Sequence, residues 1–179
     1  WHYRSRYEQL ITFSNKNFYD SDLVTFPSSK VDAPGIGVDY YHVDGVFDRK
    51  VHTNRKEAEF IVDLIYQNIE KYPNRSLGVV AFSVAQQDLI DKLLSKRRQS
   101  TLEKEYFFKN DVKEPFFIKN LETVQGDERD TIIFSIAYGI DAQGRLLHNF
   151  GPLNRVGGER RLNVAVTRAK CNVQLVSSM

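Results

Sequence analysis

The residues best suited to chemistry lie near the C-terminus, in Gly157-Gly158-Glu159-Arg160-Arg161-Leu162-Asn163-Val164-Ala165-Val166-Thr167-Arg168-Ala169-Lys170. Leu162, Ala165, Val166 and Ala169 recur at helical spacing and mark one apolar stripe. Arg161 and Arg168 are seven apart, two turns of the same predicted helix, and so share another side of it. A guanidinium on a rigid helix suits planar, forked recognition of a phosphate. The span from Arg155 to Lys170 holds five basic residues and one acid. A solvated basic helix would carry the same pattern, so the other motifs have to decide between the two.

A second motif is Leu121-Glu122-Thr123-Val124-Gln125-Gly126-Asp127-Glu128-Arg129-Asp130. Gly126 permits a close backbone approach. Glu128 can accept hydrogen bonds from a ribose, and Thr123 and Gln125 can meet a nucleic-acid backbone. The plain alternative is a charged turn with solvated carboxylates. Asp127-Glu128 is not a Walker B pair, because the residues before it are not the apolar strand such a pair terminates. No Gly-x-x-x-x-Gly-Lys-Ser/Thr loop occurs, and Gly35-Ile36-Gly37 does not replace one. Near the start, His2-Tyr3-Arg4-Ser5-Arg6 sets an aromatic ring beside a guanidinium, able to stack on a base and reach a phosphate. Helix capping explains Ser83 with Gln86. Lys92, Lys96, Arg97 and Arg98 read as a solvated helix end that suits the macrodipole. His2, His42, His52, His148 and Cys171 show no zinc-ligand spacing, so no metal ligands are expected.

The elements that must position these groups follow from periodicity. Helical stripes run through Tyr7, Leu10, Ile11, Ser14 and Phe18, through Ala58, Ile61, Val62, Ile65 and Ile69, and through Gln86, Leu89, Ile90 and Leu93. Asn54 with Glu57 and Ser83 with Gln86 form two predicted capping boxes. Apolar runs of strand length are Val38 to Val43, Leu77 to Phe82, Phe116 to Ile118, Thr131 to Ala137 and Asn172 to Val176. Strands alternating with helices predict an α/β domain with a mainly parallel sheet and helices on both faces. Val31 to Val51 reads as a loop with a peripheral strand or hairpin. Lys96 to Lys113 reads as a lid helix or mobile excursion, and Asp141 to Gly158 as a long functional loop.

Composition sets the outer bounds. The 179 residues suffice for one core and one domain, 1–179, at 41% hydrophobic and 27% charged. A net charge of +2 makes any basic surface local. A lone cysteine fits a reducing, cytoplasmic setting. No apolar run spans a bilayer, so no membrane partner is expected. A start at Trp1 suggests a piece of a larger chain.

Taken in order, the segments resemble one family. They are His2-Tyr3-Arg4-Ser5-Arg6, Phe18-Tyr19, Phe26-Pro27, Asn54-x-x-Glu57-Ala58, Leu77 to Phe82 with Gln86, Glu122 to Asp130, and Arg160 to Lys170. The chain resembles the second RecA-like domain of a superfamily 1 helicase, in the branch of the nonsense-mediated-decay helicase. It is especially similar to the large bacterial superfamily I DNA and RNA helicases. The likeness covers nearly the whole chain, and the last two motifs are its most specific part. It implies a RecA-like P-loop NTPase fold lacking the P-loop. It also implies an ATP-dependent motor domain for translocation and unwinding, with ATP in a cleft against a first RecA-like domain. That first domain would supply the phosphate loop and hold Mg. By the resemblance, Tyr3 stacks on adenine, Arg4 contacts the γ-phosphate, and Gly126 and Glu128 border the nucleotide, with Glu128 on the ribose. Arg168 is the implied arginine finger, and Arg161 is supportive. Thr123, Gln125 and the Phe82-Ser83 segment face single-stranded nucleic acid, with DNA favoured over RNA. The chain departs from the nonsense-decay helicase at Ala81-Phe82-Ser83, where that branch has a Thr-Pro-Tyr-like stretch, and at His2, which replaces a glutamine. The isolated chain is expected to have negligible ATPase. Two other readings are a catalytically inactive RecA-like binding module and a metal-dependent nuclease. The nuclease lacks a lysine on the strand after Asp127-Glu128-Arg129-Asp130.

Overall fold

The computed structural model describes residues 7–24, 33–146 and 149–179. Helices are α1 (Glu8–Phe18), α2 (Arg55–Lys71), α3 (Val84–Arg98) and α4 (Gly158–Val166). Strands are β1 (Gly37–His42), β2 (Phe47–Asp48), β3 (Thr53–Asn54), β4 (Leu77–Ala81), β5 (Phe117–Asn120), β6 (Arg129–Gly139) and β7 (Ala169–Ser178). Five of them form one sheet in the order β1-β7-β6-β4-β5, with every neighbouring pair parallel. β2 and β3 form a separate antiparallel hairpin, which begins inside the segment Val31 to Val51 expected to be peripheral and ends beyond it.

Alternation along the central strands divides the core in two. Leu77, Val79, Ala81 and Ile133 pack with α2 and α3 on one face. Val80, Ile132, Phe134 and Val173 pack with Leu10 of α1 and Ala165 of α4 on the other. Each fully buried aliphatic side chain here is worth about 1.5–3 kcal/mol. The expected α/β layering is therefore present, with helices on both faces. Among the described residues no helix is long and apolar enough to cross a membrane.

Four expectations need correction. The arginine helix stops at Val166, with Thr167 as its C-cap. Ala169 already belongs to β7, paired with Arg129 of β6. The sheet ladder therefore claims the last turn of the predicted helix, and Arg168 sits beyond it rather than sharing a side with Arg161. Both capping boxes are half formed. The Asn54 and Ser83 side chains accept from the backbone of Glu57 and Gln86. The Glu57 and Gln86 side chains turn inward to other partners instead of returning to their caps. Lys96 to Lys113 is neither lid nor excursion. Its 3-10 turn Leu102–Phe108 packs Phe108 edge-on against Phe116 at 5.2 Å and near Tyr66 at 6.2 Å. The basic end of α3 is exposed at Lys92, Lys96 and Arg97, as expected, but not at half-buried Arg98. Arg98 stacks over Phe108 at 4.7 Å and pairs with Glu105, while Arg97 lies over Tyr66 at 5.5 Å.

Candidate functional site

Glu128 immediately precedes β6 and Arg168 immediately precedes β7, and these strands are neighbours. The two motifs therefore meet at the N-terminal end of the sheet. The Arg129 N–H donates to the Arg168 carbonyl at 3.1 Å. Arg168 Nη1 lies 3.7 Å from Glu128 Oε1. Its Nε donates to the Val164 carbonyl at 2.8 Å, and Nη2 to the Thr167 hydroxyl at 3.3 Å. With the residue only 7% exposed, the guanidinium is held in one direction by the end of α4.

Asp127, Glu128 and Asp130 of the second motif are partnered, unlike the acids of a solvated turn, while Glu122 is exposed. Asp127 meets Lys119 at 2.6 Å. Asp130 accepts from the Ser76 backbone at 3.1 Å and from its hydroxyl at 3.2 Å. Arg129 is buried, stacked 4.6 Å over Phe117, and donates to the carbonyls of Pro115 and Glu128. Burial lowers its pKa, against the carboxylates of Asp127 and Glu114, which raise it. Lys170 grips Glu114 at 2.6 and 2.7 Å. Burial pushes the Glu114 carboxyl up, but hydrogen bonds from Lys170 and Ser76 outweigh it and hold the pKa below the usual value. No three His, Cys, Asp or Glu side chains converge as a metal site among the described residues.

Residues 121–128 run from the end of β5 to the start of β6, anchored by Val124, which is fully buried. Thr123 lies near the C-terminal end of the sheet. There Asn120 Oδ1 accepts from the backbone N–H of Glu122 and Thr123, an Asx turn. Asn120 also donates to Gln87 in α3 at 2.9 Å, tying this loop to the helix that Ser83 begins. Gln125 and Gly126 are exposed. Gly126 has φ +94° with nothing within 4 Å of where a Cβ would point, so its backbone is open to a ligand. The expected nucleotide residues Gly126, Glu128 and Arg168 thus lie toward one end of the strands. Ser83 and Thr123 lie toward the other. Phe82 is only 6% exposed, its ring edge-on to Phe134, so that segment presents Ser83 at the surface rather than the ring. Tyr3 and Arg4 lie outside the described residues.

Sequence reasoning missed the interior role of Glu57. Its carboxylate is fully buried and accepts from the Ser135 hydroxyl and the Ala137 N–H, each at 2.7 Å. Ala137 has φ +65°, at a register shift late in β6. Gln86 joins the same network, bonding the Asn54 backbone and Ser135. Burial pushes the Glu57 carboxyl up to about 7, against hydrogen bonds from Ser135, Ala137, Ser178 and Ile136 that favour the charged form. The available signal was spacing: Glu57 lies four residues before Ile61, on the buried stripe of α2.

Residues 1–179 match the model of a family described as an AAA domain. The chain belongs to that family. This AAA domain is 38% identical over 179 residues to an uncharacterised ATP-dependent helicase of Mycoplasma genitalium. The match covers 98% of the chain and 15% of that protein. It is 35% identical over 178 residues to the homologue in Mycoplasma pneumoniae, with the same coverage, 98% and 15%. The chain thus spans about 15% of the length of these curated relatives. Among solved structures, the C-terminal domain of a possible DNA helicase from Lactobacillus plantarum superposes with a TM-score of 0.54 at 14% identity. That match covers 99% of this chain and 88% of the other, and shows a shared fold.

Proposed function

We propose that this AAA domain is the C-terminal RecA-like motor domain of an ATP-dependent superfamily 1 helicase. The curated relatives named as ATP-dependent helicases support the reading, as does the fold shared with a helicase C-terminal domain. The observation that carries it is the meeting of Arg168 and Glu128 at 3.7 Å, in a stretch where Gly126 leaves the backbone open. ATP supplies the phosphoryl group to be transferred, and a first RecA-like domain supplies the phosphate loop and the Mg site. In this proposal Arg168 is the arginine finger, stabilising negative charge on the transferring group, with Arg4 as a second cation. Tyr3 stacks on the adenine, and Glu128 accepts from the ribose. The bonds from Arg168 to Val164 and Thr167 fix the finger's direction, so it acts without reorganising. Thr123, Gln125 and Ser83 contact a single strand, mainly through its phosphates. Residues 121–128 link the two ends, so a change at the nucleotide is felt at the strand. DNA is the favoured strand, since the Lactobacillus protein is named a possible DNA helicase.

One observation favours a second reading, a binding module without turnover. The Arg168 guanidinium is 7% exposed and engaged within its own chain. ATP hydrolysis by the full-length protein, with and without single-stranded DNA or RNA, separates the two. Turnover stimulated by a single strand supports the motor. No turnover with either polymer would replace it with the binding module.

A further inference from the structure

Arg129, the first residue of β6, adjoins Glu128 and has no role in the chemistry proposed for Glu128 and Arg168. It is 6% exposed, and its guanidinium is spread over three partners. Nε donates to the Pro115 carbonyl at 2.8 Å and Nη1 to the Glu128 carbonyl at 2.7 Å. Nη2 lies 3.9 Å from Asp127 Oδ1. The plane of the fork lies over the Phe117 ring of β5 at 4.6 Å. Phe117 pairs with Gly78 of β4, where a side chain would collide with the ring. The glycine thus leaves room for the ring on which Arg129 rests.

The peptide between Glu128 and Arg129 is pinned at both ends. Its carbonyl accepts from Arg129 Nη1, and its N–H donates to the Arg168 carbonyl at 3.1 Å. Because a peptide is planar, fixing both ends fixes the backbone from which the Glu128 side chain leaves. The chain on either side offers no such constraint. Two residues earlier, Gly126 has φ +94° and nothing within 4 Å of where a Cβ would point. Just beyond, the ladder is irregular: β7 takes three steps, Ala169 to Asn172, where β6 takes two, Arg129 to Thr131. Glu128 sits between an open turn and a bulge, and a bulge loosens the pairing that would otherwise aim a strand end.

Packing alone does not call for a charge at this position. A buried ion pair is seldom better for stability than apolar side chains of the same volume. What an apolar side chain lacks is the hydrogen bond to the Glu128 carbonyl, and a forked donor that reaches Pro115 at the same time.

We propose that Arg129 is a positioning residue for the nucleotide. By holding the Glu128 carbonyl it aims the Glu128 carboxylate, one-third exposed and 3.7 Å from Arg168 Nη1, at the sugar hydroxyls. It thereby sets a preference for a ribonucleotide over one without those hydroxyls. The inference rests on the motor reading, in which Glu128 accepts from the ribose.

The test is calorimetric titration of the full-length protein with ADP and with 2′,3′-dideoxy-ADP, each with Mg present. Wild type should bind ADP roughly 10-fold to 100-fold more tightly, the worth of a hydrogen bond to a charged group. Arg129→Met removes the fork and keeps a long side chain over Phe117. Arg129→Lys keeps the charge but not the fork. In each, ADP affinity should fall to near that of dideoxy-ADP, with dideoxy-ADP affinity as in wild type. Thermal melting of each protein reports whether the fold is kept, and one folded variant suffices. A merely structural arginine would weaken both ligands together or neither, and either result overturns the proposal while leaving Glu128 on the ribose. Loss of the native transition in both variants likewise makes Arg129 structural and overturns it. Equal binding of the two ligands by wild type overturns the ribose contact of Glu128, and the proposal with it. No binding of either ligand by wild type overturns the motor reading itself.

Discussion

Glu57 should give the domain a pH dependence of stability opposite in sign to that of most carboxylates, and Glu57→Gln should remove it. The carboxyl is fully buried in the first turn of α2, hydrogen-bonded to Ser135 and Ala137 at 2.7 Å. Its pKa is about 7 in the folded chain, against an ordinary value of 4.5. A raised folded value means the native state holds the proton more tightly than the unfolded chain. The resulting stability is fully present below pH 4.5 and is lost as pH rises through about 7. At about 1.36 kcal/mol per unit the whole change is roughly 3 kcal/mol. That is a large share of the roughly 5–15 kcal/mol typical of a folded domain. Glutamine keeps an acceptor for Ser135 and Ala137 and does not titrate. Urea denaturation of the 179-residue chain, wild type beside Glu57→Gln, measures the effect. Between pH 4.5 and a pH above 7, wild type should lose roughly 3 kcal/mol relative to the variant. A difference between the two proteins that stays constant over that range, or moves toward wild type, would refute the reasoning.

Gly78→Ala should destabilise the domain by roughly 1–3 kcal/mol, because a Cβ there would run into the Phe117 ring on the neighbouring strand. A calorimetric scan should show the midpoint falling; an unchanged midpoint would mean the ring moves aside at no cost. Asn54→Ala removes the cap of α2 and the bond to Ser178 at 2.8 Å, for a loss of roughly 2 kcal/mol that urea titration can measure.

Local periodicity carried most of the fold. The stripe from Ala58 to Ile69 became α2, and the apolar runs at Leu77 and Thr131 became the central strands β4 and β6. It failed where a long-range partner outbid a local pattern. Ala169 fits the helical period of the arginine helix, but the ladder from Arg129 to Ala169 pulls it into β7. Nothing within ten residues of Arg168 announces a strand 40 positions upstream. Glu57 and Gln86 have the spacing of capping residues, and their backbones are capped as expected. Their side chains instead reach Ser135, about 78 and 49 residues away, a choice set by the packing of α2 and α3 on β6. The segment Lys96 to Lys113 read as a lid or excursion because the partners of its aromatics, Tyr66 and Phe116, lie outside it. The candidate site was legible as two motifs. Their meeting at Arg168 and Glu128, and the placement of Ser83 and Thr123 toward the other end of the sheet, needed the topology.

The central claim is that Arg168 acts on the transferring phosphoryl group of ATP. Its most direct test is single-strand-stimulated ATP hydrolysis by the full-length protein, wild type beside Arg168→Ala, with nucleotide binding and thermal midpoint measured on both. A fall of roughly 10³-fold or more in turnover, with nucleotide still bound and the fold retained, is the predicted result. Equal turnover in the two proteins would contradict it, and would leave Arg168 as a structural clasp between α4 and Glu128.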